Sequence, residues 1–266
     1  MSVELVSVIL PVYNQADHIG SVLEGYISEL ARLHISYELL PVVNGPRKDD
    51  SLGICKELER RYPQIRTVCI DEGGWGRAVR AGLSASRGDL LCYTNSARTT
   101  GKDLLLFLLY GSVHEDAVIK ANRKIREGWK RRLGSLLYNL ECRAVFDLPY
   151  WDVNGTPKVF HRSRTRLLEL KSDGDLIDVE FNVACLRENI PVLEVPVFST
   201  SRHSGGSTTS LVSAFRMYSG VFRLRRELGN QSERGAQFVT TARLSPRSRA
   251  ALRSLRCAAY GMERFS

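Results

Sequence analysis

The sequence predicts an α/β fold, a single Rossmann-like domain with a mostly parallel central sheet and helices on both faces. Two observations carry this expectation. Short β-branched runs without polar alternation recur as far as Ala121, as expected of strands covered on both sides. Segments with apolar residues at helical spacing separate them, so the chain alternates in the manner of β-α-β units.

The elements follow in order. Val6–Val12 is the first strand, and Asn14 or Asp17 can cap the helix behind it. That helix turns Ile19, Val22, Leu23, Tyr26, Ile27, Leu30 and Leu33 to one side. Tyr37–Val43 is the second strand, ending at Asn44-Gly45, and Leu52, Cys55 and Leu58 mark a helix over 52–61. Thr67–Ile70 is a third strand, Gly76–Ser86 a helix of small residues, and Asp89–Thr94 a fourth strand. A helix near 102–111 and a strand near 117–121 complete the alternation. Beyond Trp129 the pattern changes. Leu133–Phe146 is an amphipathic helix, and Asn154-Gly155 signals a tight turn within 152–160. Leu176–Arg187 is helical, and Val192–Phe198 is a strand whose Pro196 favours an edge or a bulge. A polar loop is expected over 200–210, and apolar periodicity fades after Gly229.

Composition narrows the class. With 266 residues, 43% hydrophobic and 25% charged, the chain is neither disordered nor fibrous. Its formal charge is +9, of which +7 lies after residue 222, where ten Arg face three Glu. The expected division is a mildly basic body over 1–225 and an Arg-rich tail over 226–266. A second basic knot, Lys120–Arg132, holds seven cations and one Glu and suits either anionic lipid head groups or a solvated face. The strongest apolar run, Leu104–Tyr110, has seven residues where a spanning helix needs about 20. Met1–Val6 lacks the basic region of a signal peptide, and the six cysteines form no CxxC pair. The expectation is a cytoplasmic protein with buried thiols, open to peripheral contact with an anionic membrane surface.

Function is expected at the strand ends. Pro11, Tyr13 and Asn14 close the first strand, Asn44 and Gly45 the second, and Asn95-Ser96 the fourth, with Arg77 on the helix before it. Ligands of parallel sheets bind beyond the carboxyl ends of strands. Amides there can read a nucleobase, and Arg77 can meet a diphosphate.

These residues resemble the family 2 glycosyltransferases of GT-A fold, in particular the polyprenyl-phosphate, dolichol-phosphate mannose synthase-like branch. The resemblance covers roughly residues 5–225 and rests on five stretches in order: Ser7–Asn14, Asn44-Gly45, Gly76–Asp89, Glu194–Val197 and Arg202–Ser207. It implies transfer of a sugar from a nucleotide-diphosphate sugar to a hydroxyl or lipid-phosphate acceptor, with inversion. The family's Asp-x-Asp metal motif would fall on Asn95-Ser96-Ala97, which carries no carboxylate. Mg²⁺ and Mn²⁺ want carboxylate oxygens, so no metal cofactor is expected. Arg98, Arg202 and Arg77 are the candidates to neutralise the leaving diphosphate instead. His203 is a lone alternative metal ligand. Thr208 stands where the branch usually has Lys, one cation fewer for a lipid phosphate.

Asp178, then Glu180, fall near the family's second acidic motif and are candidate bases for a hydroxyl acceptor. A phosphate acceptor would need none, and the alternative is that both acids complement a helix N-terminus. Asp152 and Lys158, with Trp151, are expected to project as an acceptor-side wall; the alternative is a turn and a structural strand. Trp75 and Trp151 suit either stacking on a ring or a core.

The leading expectation is therefore an inverting glycosyltransferase, with a catalytically inactive nucleotide-sugar-binding relative as the alternative motivated by Asn95-Ser96-Ala97. Nucleic acid is not an expected partner, since no nucleic-acid module or aromatic ladder accompanies the charge. A nucleotidyltransferase would want a Gly-rich loop with Lys where Pro11–Asn14 stands.

Overall fold

The structure, a computed structural model, describes residues 3–124, 129–198 and 220–228, apart from the side chains of residues 129–132. The expected 200–210 loop, Arg202, His203, Thr208 and the tail beyond residue 228 lie outside the described residues.

Among the described residues seven strands form one sheet: β1 (Leu5–Val12), β2 (Ser36–Asn44), β3 (Val68–Ile70), β4 (Leu90–Tyr93), β5 (Val118–Arg123), β6 (Lys158–His161) and β7 (Val192–Val197), in the order β3-β2-β1-β4-β6-β5-β7. β1 pairs in parallel with β2 and β4, β2 with β3, and β5 with β7. β6 is the antiparallel member, inserted between β4 and β5. The expected mostly parallel sheet is present, and Pro196 sits on an edge strand, where a missing N–H costs nothing.

Helices cover both faces. α1 (Ile19–Leu30), α2 (Ser51–Arg61) and α4 (Gly101–Val113) close over Val6, Val8, Leu10 and Val12 of β1. On the other side, α3 (Trp75–Ala85) and α6 (Ile177–Arg187) cover Ile9, Leu40, Leu91, Tyr93 and Phe160. A third cluster joins α5 (Trp129–Phe146), the outer side of α6 and the helical residues 220–228 through Tyr138, Cys142, Val179, Val183, Val221 and Leu224. α6 is thus enclosed on every side, and every residue from Ile177 to Cys185 is buried. Its low amphipathicity in sequence reflects that position.

The Asn154-Gly155 signal is met by a tight turn, in which the Gly155 N–H donates to the Asp152 carbonyl at 3.0 Å; the strand that follows pairs with β4 and β5 rather than forming a hairpin. Gly155 also serves a close approach: a Cβ there would stand 1.9 Å from the Ala121 carbonyl oxygen. Other local details differ from expectation. Neither Asn14 nor Asp17 caps α1, whose N-cap position is His18 without a side-chain cap bond. A 3-10 turn at Thr165–Leu168, not expected from the sequence, packs Leu167 under α6. The expected boundary at 225/226 falls inside the helical residues 220–228, where Leu228 is buried and its carbonyl accepts from Arg187 Nη2 at 3.1 Å. The first compact unit runs from Met1 to Glu233. Among the described residues no helix is long and apolar enough to cross a membrane.

Candidate active site

The carboxyl ends of β1 and β2 border a shallow surface recess lined by Asn14, Val43, Asn44, Gly45, Pro46, Arg47, Asp49, Ser51 and Leu52. Its walls are held by local hydrogen bonds. Asn14 is left-handed (φ 48°), and its side chain accepts from the Lys48 N–H at 3.1 Å. Gly45 is also left-handed (φ 78°), with Tyr13 and Gly73 closing on it so tightly that a Cβ would stand 3.0 Å from Gly73 Cα. Asp49 accepts from the N–H and hydroxyl of Ser51 and from the Ala16 N–H. Burial alone would raise its carboxyl, but these bonds hold it below the usual range.

Asn44 was expected to read a base. Its side chain is buried and spent: Nδ2 donates to the Val12 carbonyl at 2.8 Å, and Oδ1 accepts from the Gly74 N–H at 3.1 Å. It clamps β1, β2 and the start of α3 together. Pro11 is buried in β1, and Tyr13 stands at the rim, 38% exposed.

The end of β4 carries Asn95-Ser96-Ala97, the stretch on which the Asp-x-Asp motif is expected to fall. Asn95 Oδ1 accepts from the Ala97 N–H at 2.9 Å, and its carbonyl accepts from the Arg98 and Thr99 N–H groups. Ser96 is buried and donates its hydroxyl to Gln15 Oε1 at 2.6 Å. A divalent ion would find an amide and a hydroxyl already committed, and no carboxylate. Among the described residues no group of three or more His, Cys, Asp or Glu could hold a metal. The residues at this strand end do not fit Mg²⁺ or Mn²⁺. Gln15, which links the ends of β1 and β4, had no signal in the sequence. Arg98 is half-buried in the turn after β4. Arg77 bridges Glu72 at 3.0 Å and Asp173 at 3.2 Å, so its charge already faces two carboxylates.

Beneath this edge lies a row of charge that sequence reasoning only half saw. Cross-strand register aligns Tyr93 (β4), Lys158 (β6), Lys120 (β5) and Glu194 (β7). Both lysines are fully buried, among the largest enclosed side chains of the protein. Lys158 pairs with Asp178 of α6, which also accepts from the Tyr93 hydroxyl at 2.9 Å. Lys120 pairs with Glu194 at 2.7 Å and donates to the Asp152 carbonyl at 2.6 Å. Asp152 takes a bidentate grip from Arg123, at 2.7 and 2.8 Å. Such pairs survive burial only because each charge is matched and hydrogen-bonded.

This geometry corrects two expectations. Asp152 and Lys158 do not project as an acceptor wall; they are 1% and 0% exposed and belong to the alternative, structural reading. Lys120 and Arg123 of the basic knot face inward to carboxylates rather than outward. Asp178 and Glu180 are also enclosed. Glu180 accepts from the Lys171 and Ser172 N–H groups at 2.8 to 3.0 Å, pinning the loop before α6. Trp151 is 57% exposed and lies on the Arg143 guanidinium, 4.0 Å away. Trp75 is half-buried against the α3 core.

The seven-stranded, mostly parallel sheet with helices on both faces is the architecture of GT-A proteins. The chain matches Glycosyl transferase family 2 over residues 7–162, more than half its length, and belongs to that family. Two curated relatives are undecaprenyl-phosphate 4-deoxy-4-formamido-L-arabinose transferases. The one from Sodalis glossinidius (strain morsitans) is 21% identical, covering 80% of this chain and 65% of its own. The one from Edwardsiella ictaluri (strain 93-146) is 28% identical, covering 81% and 66%. The chain therefore spans just under two thirds of these relatives. Among solved structures, mannosyl-3-phosphoglycerate synthase from Rubrobacter xylanophilus superposes with TM-score 0.67 at 18% identity, covering 91% of this chain and 79% of that one. Glucosyl-3-phosphoglycerate synthase from Mycobacterium tuberculosis, in complex with Mn²⁺, UDP and phosphoglyceric acid, gives 0.63 at 17% identity, covering 84% and 78%. These likenesses establish the fold.

Proposed function

We propose that the protein transfers a sugar from a nucleotide-diphosphate sugar to a phosphate acceptor, with inversion and without a metal at the end of β4. The observation that carries this reading is the recess between the ends of β1 and β2, set beside a β4 end with no carboxylate. The nucleotide would lie in that recess, with its diphosphate toward Asn95-Ser96 and Arg98. Arg98 and Arg202 are the proposed counter-charges as the diphosphate leaves.

The acceptor class follows from the acids. Asp178 is tied to Lys158 and Tyr93, and Glu180 to three N–H bonds, so both are poorly placed to take a proton. A phosphate acceptor needs no base. Its oxygen forms the bond to the anomeric carbon from behind, the bond to the donor diphosphate breaks, and the electron pair leaves with the diphosphate. The names of the curated relatives support a lipid phosphate as the source of that oxygen.

The test offers UDP-, GDP-, dTDP- and CDP-sugars with undecaprenyl phosphate or with free sugar alcohols. The expected outcome is a glycosylated lipid from one nucleotide class. Asp175, exposed two residues before α6, is the control base. Product on hydroxyl acceptors alone, with a loss of about 100-fold or more in Asp175→Asn, would overturn the phosphate reading. Thermal stabilisation by a donor with no turnover on any acceptor would favour the inactive, nucleotide-sugar-binding reading that the missing carboxylates also motivate.

A further inference from the structure

α4 is apolar on both its inner and its outer side. Leu104, Phe107 and Leu108 are buried in the core. Leu106, Leu109 and Val113 are 44%, 47% and 75% exposed. Residues 102, 106, 109 and 113 stand four, three and four apart, so at about 100° per residue Lys102 and these three share one narrow arc. Leu105 and Tyr110, each partly buried, flank the arc on its two sides. A surface helix ordinarily turns polar residues outward, and a contiguous apolar strip marks a contact with another molecule. The strip also reads the same from both ends. Reversed about the point between Phe107 and Leu108, Leu106 exchanges with Leu109, Leu105 with Tyr110 and Lys102 with Val113. A two-fold contact between identical helices requires this symmetry, because each residue then meets its reversed position on the other copy.

We propose that α4 is the surface through which two copies of this chain associate, antiparallel about a two-fold axis. The ends of the strip are complementary as well as its middle. Lys102 stands in the first turn of α4, where the dipole of its own helix disfavours a cation. In the antiparallel pair its stem lies over Val113 of the partner subunit. Its ammonium then faces the carbonyl end of that helix and Glu115 of the partner subunit, a residue exposed just beyond α4. An anionic bilayer would cover the leucines but would repel the Glu115-Asp116 end. A contact of about three helical turns is small for a protein interface, so the dimer forms reversibly and depends on concentration. It is independent of the sugar-transfer reading.

The experiment is sedimentation velocity on the full chain over a range of concentrations, where a monomer–dimer equilibrium is expected. Leu106→Ser/Leu109→Ser should raise the dissociation constant at least about 100-fold, since the two-fold counts each substitution twice. Lys102→Glu, which removes no packing within the chain, should raise it about tenfold. Leu136→Ser/Leu137→Ser, on the exposed leucines of α5, should leave it unchanged. Thermal melts of the variants that match the parent, taken at a concentration where all are monomers, separate loss of the contact from loss of the fold. A parent that stays monomeric at the highest soluble concentration would overturn the proposal. So would a dimer that keeps its dissociation constant in both α4 variants, or one that the α5 variant dissolves instead.

Discussion

Lys158 and Asp178 share a site that water does not reach. Burial pushes the Lys158 ammonium down to about 8 from its ordinary 10.5, while the Asp178 carboxylate pulls it back part of the way. Between those two pH values the unfolded chain holds a proton that the folded chain has released. This residue therefore makes stability rise with pH from about 8 to 10.5. Lys158→Met should cost about 3 kcal/mol in denaturant unfolding at pH 7, because Asp178 is left charged and unmatched. It should also remove the alkaline rise. Adding Asp178→Asn should recover most of the loss, since the amide still accepts from Tyr93 without a charge to balance. A single variant as stable as the parent would contradict the pairing. The sequence placed these acids and cations near the site but not their sign of work. Asp178 and Glu180 read as candidate bases or as complements to a helix N-terminus, since acids at a helix start ordinarily serve one or the other. Only the packing of α5 and residues 220–228 over α6 reveals that this helix has no outer face.

Among the elements, the start of α3 is fixed more tightly than any helix cap requires. Gly74 takes φ 147°, and its N–H is held by Asn44. A Cβ at Gly76 would stand 2.2 Å from the Ser172 carbonyl oxygen and 2.7 Å from the Asp173 carbonyl carbon. Both are backbone atoms and cannot swing aside. Gly76→Ala should therefore part α3 from the 172–174 segment, cost about 2 kcal/mol in thermal unfolding, and weaken donor stabilisation through the Asn44 clamp. An unchanged melting temperature would show that the two segments are not so joined. The same glycines were legible in sequence as a small-residue helix start, since close backbone approach needs them. The Asn154-Gly155 signal gave the turn but not the second need that Gly155 answers, a close approach to the Ala121 carbonyl, which depends on a strand distant in the chain. Strand and helix positions up to β5 were legible because burial on both faces leaves unbroken apolar runs. β6 was legible only as the alternative to a projecting wall, since Lys158 and His161 interrupt its apolar pattern and its partners are distant in the chain.

At the scale of the whole molecule, charge is arranged rather than merely present. The formal +9 includes buried cations that are already matched: Lys120 by Glu194, Lys158 by Asp178 and Arg123 by Asp152. None of these is available to an anion. Glu38 shows the same economy at the other end of the sheet. Burial would raise its carboxyl, but bonds from Ser7, the Arg87 N–H and Arg66 hold it below the usual 4.5. The proposed counter-charges for a nucleotide diphosphate are Arg98 of the β4 turn and Arg202. In the proposed reaction, sugar transfer proceeds at a β4 end without a carboxylate to seat a divalent ion. The direct measurement is the rate of transfer from the preferred nucleotide sugar to undecaprenyl phosphate in excess EDTA, compared with added Mn²⁺ or Mg²⁺. The account predicts equal rates, and a loss of at least about tenfold in Arg98→Gln from the missing counter-charge. Activity abolished by EDTA and restored only by a divalent ion would contradict it.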